Sequence, residues 1–253
     1  MIDYGFKDKV AIVTGAGGEG FGTGICKLLA EEGAHVVAND MYSEVADKVA
    51  ADLCAIGPKA IATYADVTKY DQCDEMAKKA KAEFGRIDYL VTVPFWMPYV
   101  KFLQARPQDD VMTVAVTYLG VVNCVRAVLP TMVEQSKGSI VAIGSDAMRV
   151  GESKQIVYGG AKAAVLAFAR GMTREHARDN IRMNVVNPGM TVKYVNGTPI
   201  LPDEMVQKAI KWYPLGRLTK PDDVVNAISF LLSDKASFIT GQVLPVSGGY
   251  QCI

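Results

Sequence analysis

Val10-Ala-Ile-Val-Thr14-Gly15-Ala-Gly17-Gly18-Glu19-Gly20-Phe21-Gly22-Thr23 joins an apolar run of strand length to a helical pattern through a glycine-rich turn. Glycines permit a tight turn and let the backbone approach a pyrophosphate, which then sits at the N-terminus of the following helix. A glycine cluster by itself is weak, and a loop that binds nothing remains open. A preceding strand and a following helix strengthen the binding reading.

The same alternation continues outward from this turn. Apolar runs predict strands at 10–14, 35–39, 60–64, 89–93, 139–144, 182–186 and 242–246. Amphipathic runs predict helices at 23–32, 43–56, 69–84, 108–134, 155–178, 202–212 and 221–233. Short Val/Ile/Ala strands suit a parallel sheet covered on both faces. Strands alternating with helices suit right-handed crossovers and an α/β doubly wound sheet. No linker or repeat divides the chain, so residues 1–253 are expected to form a single domain. Pro245 cannot donate to a ladder, which puts the last strand at an edge. The span 190–210 is the least regular, with turn signals at Asn196-Gly197, Pro199 and Pro202. It reads as a mobile loop over a site or as an ordinary surface connection.

Composition excludes several classes. Formal net charge is zero, so neither nucleic acid nor an anionic membrane is an expected partner. No uninterrupted apolar stretch is long enough to predict a membrane span. The charged N-terminus lacks the apolar region of a signal peptide. Five scattered cysteines with no Cys-x-x-Cys favour free thiols and a cytoplasmic location. The two histidines, His35 and His176, have no metal-ligand spacing, so no metal is expected.

Tyr158 and Lys162 are four apart and share one helix face. An ammonium beside a phenol favours the phenolate, which is expected to lower the tyrosine pKa and fit it for acid–base work. Ser145 lies just past the fifth predicted strand, where strand ends converge on a ligand crevice. Its hydroxyl could hydrogen-bond the same substrate oxygen and stabilise alkoxide charge. Asp40 follows the second strand. A carboxylate there accepts hydrogen bonds from ribose hydroxyls and repels a 2′-phosphate, which favours NAD over NADP. A helix N-cap is the other reading. Trp96, Met97 and Tyr99 could line a pocket or pack on the core. Met148, Arg149 and Glu152 are candidate substrate contacts, and Arg149 is equally an ordinary surface arginine.

The turn after Thr14, the serine and the Tyr158-x-x-x-Lys162 pair together resemble the short-chain dehydrogenase/reductase family. The resemblance runs from about Lys9 to Gly249 and takes in Asn187-Pro188-Gly189, Pro214-Leu-Gly-Arg217 and the tail from Phe238 to Gly249. It implies a Rossmann-type sheet of about seven strands and an NAD-dependent oxidoreductase interconverting a secondary alcohol, or a hydroxyacyl-CoA, and a ketone. The resemblance assigns Ser145, Tyr158, Lys162 and Thr117 to catalysis. It assigns Gly15, Gly20, Phe21, Gly22, Asp40, Asp66, Val67, Lys162, Pro188 and Gly189 to the cofactor. It also implies a tetramer paired through helices 108–134 and 155–178. The second of these carries small residues, Ala161, Ala163, Ala164, Ala167 and Ala169, that permit close helix approach.

Against the family pattern several positions depart. Four residues rather than three separate Gly15 from Gly20, and Glu19 puts a carboxylate near the expected pyrophosphate. Val93-Pro94-Phe95 stands where the family has small residues, so Pro94 removes a backbone donor and Phe95 adds a ring. Thr117 replaces the asparagine of the proton relay, and Lys193 replaces a threonine on the nicotinamide amide. These changes motivate a second expectation, a non-catalytic subunit supporting an active sister chain in a hetero-oligomer. That pattern is similar to the cofactor-impaired subunit of a heteromeric hydroxyacyl-CoA dehydrogenase.

Overall fold

A computed structural model describes residues 3–18, 20–191, 194–195, 198–199 and 202–252. The expectations placed on Glu19, Lys193 and the Asn196-Gly197 turn lie outside the described residues.

The strands are β1 (Val10–Thr14), β2 (His35–Asp40), β3 (Ala60–Tyr64), β4 (Tyr89–Thr92), β5 (Gly138–Ile143), β6 (Ile181–Pro188), the short pair β7 (Tyr194–Val195) and β8 (Thr198–Pro199), and β9 (Val243–Val246). Seven of them form one parallel sheet in the order β3-β2-β1-β4-β5-β6-β9. Its order reverses between β1 and β4, the switch point where open α/β sheets bind ligands. The helices are α1 (Phe21–Glu31), α2 (Ser43–Cys54), α3 (Tyr70–Phe84), α4 (Pro107–Val114), α5 (Gly120–Glu134), the single turn α6 (Ala147–Val150), α7 (Ile156–His176), α8 (Asp203–Ile210) and α9 (Pro221–Leu232).

Alternation along each strand builds two cores. Ala11 and Val13 of β1 pack with Ile25, Leu29, Val224 and Ile228 of α1 and α9. Val10 and Ile12 pack on the other face with Met76, Val121, Val125, Val165 and Leu166 of α3, α5 and α7. Arg182, almost fully buried, donates to the carbonyls of Leu231, Leu232, Ser233 and Ile239. Those at the end of α9 are the carbonyls a helix leaves without an internal partner.

Most boundaries agree with the sequence pattern within a residue or two. Pro245 is in the edge strand β9, opposite Asn187. Helix α1 begins at Phe21 rather than Thr23, so the last glycines of the turn belong to its first turn. The irregular span resolves in part into the β7–β8 pair and α8.

The predicted helix 108–134 is continuous over Pro107–Glu134 but contains a π-type turn at Ala115–Leu119. By length and composition it passes as a possible membrane-crossing helix, with mean hydropathy 1.7, the one such helix among the described residues. Here its inner side packs on the second core, while Val111, Met112 and Leu119 face outward.

Candidate active site

In-register pairing brings the carboxyl ends of the central strands level. Thr14 lies beside Thr92, Thr92 beside Ala142, and Ile143 beside Val186. The residues that follow, Gly15, Val93, Gly144-Ser145 and Pro188-Gly189, therefore gather at one edge of the sheet. A cavity of about 500 Å³ opens there, lined by Gly20, Phe21, Val93, Phe95, Met97, Ser145, Tyr158, Pro188, Gly189, Thr191 and Pro221 among others.

The glycine turn is built for close approach. A Cβ on Gly22 would fall 2.0 Å from the Gly15 carbonyl oxygen, and one on Gly17 would fall 1.8 Å from a Val45 methyl. Gly20, with φ 111°, precedes α1, which has no side-chain cap and no acidic residue in its first turn. Its positive dipole end therefore opens on the cavity through Gly20 and Phe21. Asp40 accepts the N–H groups of Gly17 and Tyr42, one on each oxygen, at 3.2 Å. It is not the cap of α2, whose N-cap position is Tyr42 with no side-chain bond. Asp66 accepts the Thr68 N–H and hydroxyl, and the buried Val67 gives its carbonyl to Asn123. Of the residues expected at this end, Gly20 and Phe21 line the cavity, whereas Gly15, Gly22, Asp40, Asp66 and Val67 do not.

The far end is narrower. Pro94 rests on Gly15, its Cγ 3.2 Å from where a Cβ would be. The Phe95 side chain enters the cavity and meets Tyr158 edge-on, ring centroids 5.8 Å apart at 64°. It is 54% exposed, so space remains beside it.

Tyr158 and Lys162 share the inner face of α7, and both are buried. Burial pushes the Tyr158 phenol up to about 12, and the nearby Ser145 hydroxyl tempers this only in part. The Ser145 Oγ also accepts the Ala147 N–H at 3.2 Å. Lys162 is 1% exposed, and burial brings its pKa down to about 7. Its Nζ donates to the Ile143 carbonyl at 2.5 Å and lies 5.7 Å from the Tyr158 ring centroid. The expected lowering of the tyrosine pKa is therefore not found, because burial raises it instead. Desolvation disfavours both charges and holds the pair near neutrality.

Thr117 falls in the π-type turn and does not line the cavity. Its hydroxyl accepts the Trp96 N–H and donates to the Trp96 carbonyl, both at 3.2 Å. It pins the altered segment after β4. Met97 reaches the cavity, whereas Tyr99 is exposed beneath the Lys154 ammonium and Glu152 accepts the Tyr250 hydroxyl. Sequence reasoning missed Pro221, which reaches the site because Lys220-Pro221-Asp222-Asp223 starts α9 there with proline in the first turn. It also passed over Asp146, whose only sequence signal is a charge directly after the serine.

Comparisons with known proteins agree with this geometry. Residues 15–251 match the family model described as enoyl-(acyl carrier protein) reductase. The chain is 34% identical over 243 residues to a 3-oxoacyl-(acyl-carrier-protein) reductase of Thermotoga maritima, covering 96% of this chain and 98% of that protein. It is 36% identical over 261 residues to a 1,6-dihydroxycyclohexa-2,4-diene-1-carboxylate dehydrogenase of Acinetobacter baylyi, covering 97% of each. Among solved structures, an NAD+-bound xylitol dehydrogenase superposes with a TM-score of 0.91 at 27% identity, over 97% of this chain and all of that one.

Proposed function

Because this chain belongs to the short-chain dehydrogenase/reductase family, we propose that it is an NAD-dependent oxidoreductase interconverting a secondary alcohol and a ketone. One observation carries the reading: Ser145 and Tyr158 line the same cavity as the start of α1 and the Pro188-Gly189 turn. A nicotinamide dinucleotide held by Gly15, Gly20, Phe21, Gly22, Asp40, Asp66, Val67, Lys162, Pro188 and Gly189 would supply the redox chemistry. Asp40 sets the preference against a 2′-phosphate.

The chain's own residues supply the proton and the oxyanion contact. Tyr158 is protonated at neutral pH and gives its Oη proton to the carbonyl oxygen during reduction. In oxidation the same oxygen takes the alcohol proton. Ser145 hydrogen-bonds the substrate oxygen and holds it against Tyr158. Lys162, when charged, stabilises the phenolate as it forms. Phe21, Val93, Phe95 and Met97 give the cavity an apolar wall, so the substrate carries an apolar body beside the reacting carbon. Relatives named for a 3-oxoacyl thioester and for a dihydroxylated ring carboxylate support substrates of that kind, a hydroxyacyl thioester included. The test is a panel of such alcohols with NAD: turnover with wild type, and its loss in Tyr158→Phe, supports the reading. Equal turnover by both rejects it.

Phe95 in the cavity and the commitment of Thr117 to Trp96 favour a second reading, a non-catalytic subunit supporting an active paralogous chain. Both readings include an oligomer, a tetramer paired through helices 108–134 and 155–178. The outward Val111, Met112 and Leu119 support that interface. The five free thiols suit a reducing, cytoplasmic setting. A homotetramer from the chain expressed alone supports the first reading, and assembly only with a co-expressed sister chain supports the second.

A further inference from the structure

A second, smaller recess opens beside the reaction cavity and shares Met97 and Tyr158 with it. Its volume is about 20 Å³, room for one water-sized group. Pro98, Val100 and Phe102, from the loop after β4, form its apolar side, and Lys154, Gln155 and Asp110 stand on its polar side. A substrate whose reacting carbon lies against Ser145 and Tyr158 therefore has an apolar path past Met97 and a polar end point for a small head group.

The polar groups decide what that head group is. Asp110 stands in the first turn of α4, whose positive end offsets its charge. The Thr113 hydroxyl, also at the recess, is already spent on the Asp109 carbonyl at 2.8 Å. The Gln155 side-chain amide makes no hydrogen bond to a described residue. The Lys154 ammonium forms no ion pair with a described residue and lies over the Tyr99 ring, 5.1 Å from its centroid. A ring face holds an ammonium without consuming its N–H donors, which stay free for an anion.

The backbone at Lys154 carries a second signal. Its φ of 66° lies in the left-handed region, where a bulky side chain is uncommon. Glycine would make this turn with less strain, yet the position presents a cation at the mouth of the recess. Strain of this kind concentrates where a site needs a particular side chain.

We propose that Lys154 and Gln155 form a carboxylate subsite, so that the substrate is a secondary alcohol or ketone whose apolar body ends in a carboxylate. One carboxylate oxygen takes the charge-assisted bond from the Lys154 ammonium, and the other takes the Gln155 amide. The dehydrogenase reading is assumed for which carbon reacts. The subsite is a binding property and is read without turnover.

The test is a calorimetric titration of the full chain with hexanoate, hexanamide and hexylamine, in wild type, Lys154→Gln, Lys154→Gly and Lys154→Arg. Hexanoate is expected to bind more tightly than the amide or the amine. Lys154→Gln and Lys154→Gly weaken hexanoate about five- to tenfold, and Lys154→Arg keeps it within about twofold. Lys154→Gly unfolds at no lower urea concentration than wild type, because it relieves the left-handed backbone, which separates lost charge from lost fold. With NADH and the methyl ketones levulinate and 5-oxohexanoate, at least one acid is reduced with a higher kcat/KM than its methyl ester, and Lys154→Gln brings that ratio towards one. Hexanoate affinity that Lys154→Gln leaves unchanged, hexylamine bound more tightly than hexanoate, or no hexanoate binding at millimolar concentration overturns the proposal. Lysine-dependent hexanoate binding with no ketone turned over rejects the dehydrogenase reading and leaves the subsite standing.

Discussion

Replacing Lys162 by methionine should stabilise the fold at mildly acidic pH while removing the chemistry. The ammonium is fully buried, and its pKa falls from 10.5 to about 7. Between those values the unfolded chain binds a proton that the folded chain does not, so this group makes stability rise with pH from about 7 to 10.5. Below that window both states are protonated and the folded state carries the full cost, roughly 5 kcal/mol at 1.36 kcal/mol per unit. The hydrogen bond to Ile143 offsets about 1.5–3 kcal/mol of it. Methionine fills a similar volume with little strain. The net expectation is that Lys162→Met is about 2–3 kcal/mol more stable than wild type near pH 6, with the gain shrinking to about 1 kcal/mol or less near pH 9. Urea denaturation of both proteins at the two pH values measures it. A variant less stable than wild type at the lower pH, or a difference that does not change with pH, refutes the reasoning.

Other consequences follow from single contacts. Gly22→Ala drives a methyl onto the Gly15 carbonyl, so NADH affinity falls at least about tenfold in a calorimetric titration. Arg182→Ala leaves four carbonyls without their donor and lowers stability by about 3 kcal/mol or more in urea. Because Tyr158 holds its proton up to about pH 12 while Lys162 loses its charge as pH rises through about 7, kcat/KM for ketone reduction falls along a single limb centred near pH 7. A profile flat from about pH 6 to about 9 would contradict the role given to Lys162.

The sheet was legible because its strands are continuous apolar runs punctuated by glycine and proline, a pattern tied to burial on both faces. The gathering of Ser145, Gly20 and Gly189 at one edge followed from strand ends alone. The state of the tyrosine did not follow, since the spacing of Tyr158 and Lys162 reports a shared helix face and says nothing of how completely both are desolvated. Thr117 shows a second limit. Its position was countable from Cys124 to Pro130, but its hydroxyl is taken by Trp96 through a π-type turn that no hydrophobic periodicity encodes. Asp146 shows a third, because a charge in a loop reads as solvated until the C-terminal tail is folded over it.

A calorimetric titration of the purified chain, with no partner present, with NADH and then NADPH tests the central claim most directly. The account predicts micromolar binding of NADH, with NADPH weaker by about tenfold or more because of Asp40. No binding of NADH at millimolar concentration would contradict it, and would mean that Pro94 and Phe95 close the site that the glycine turn opens.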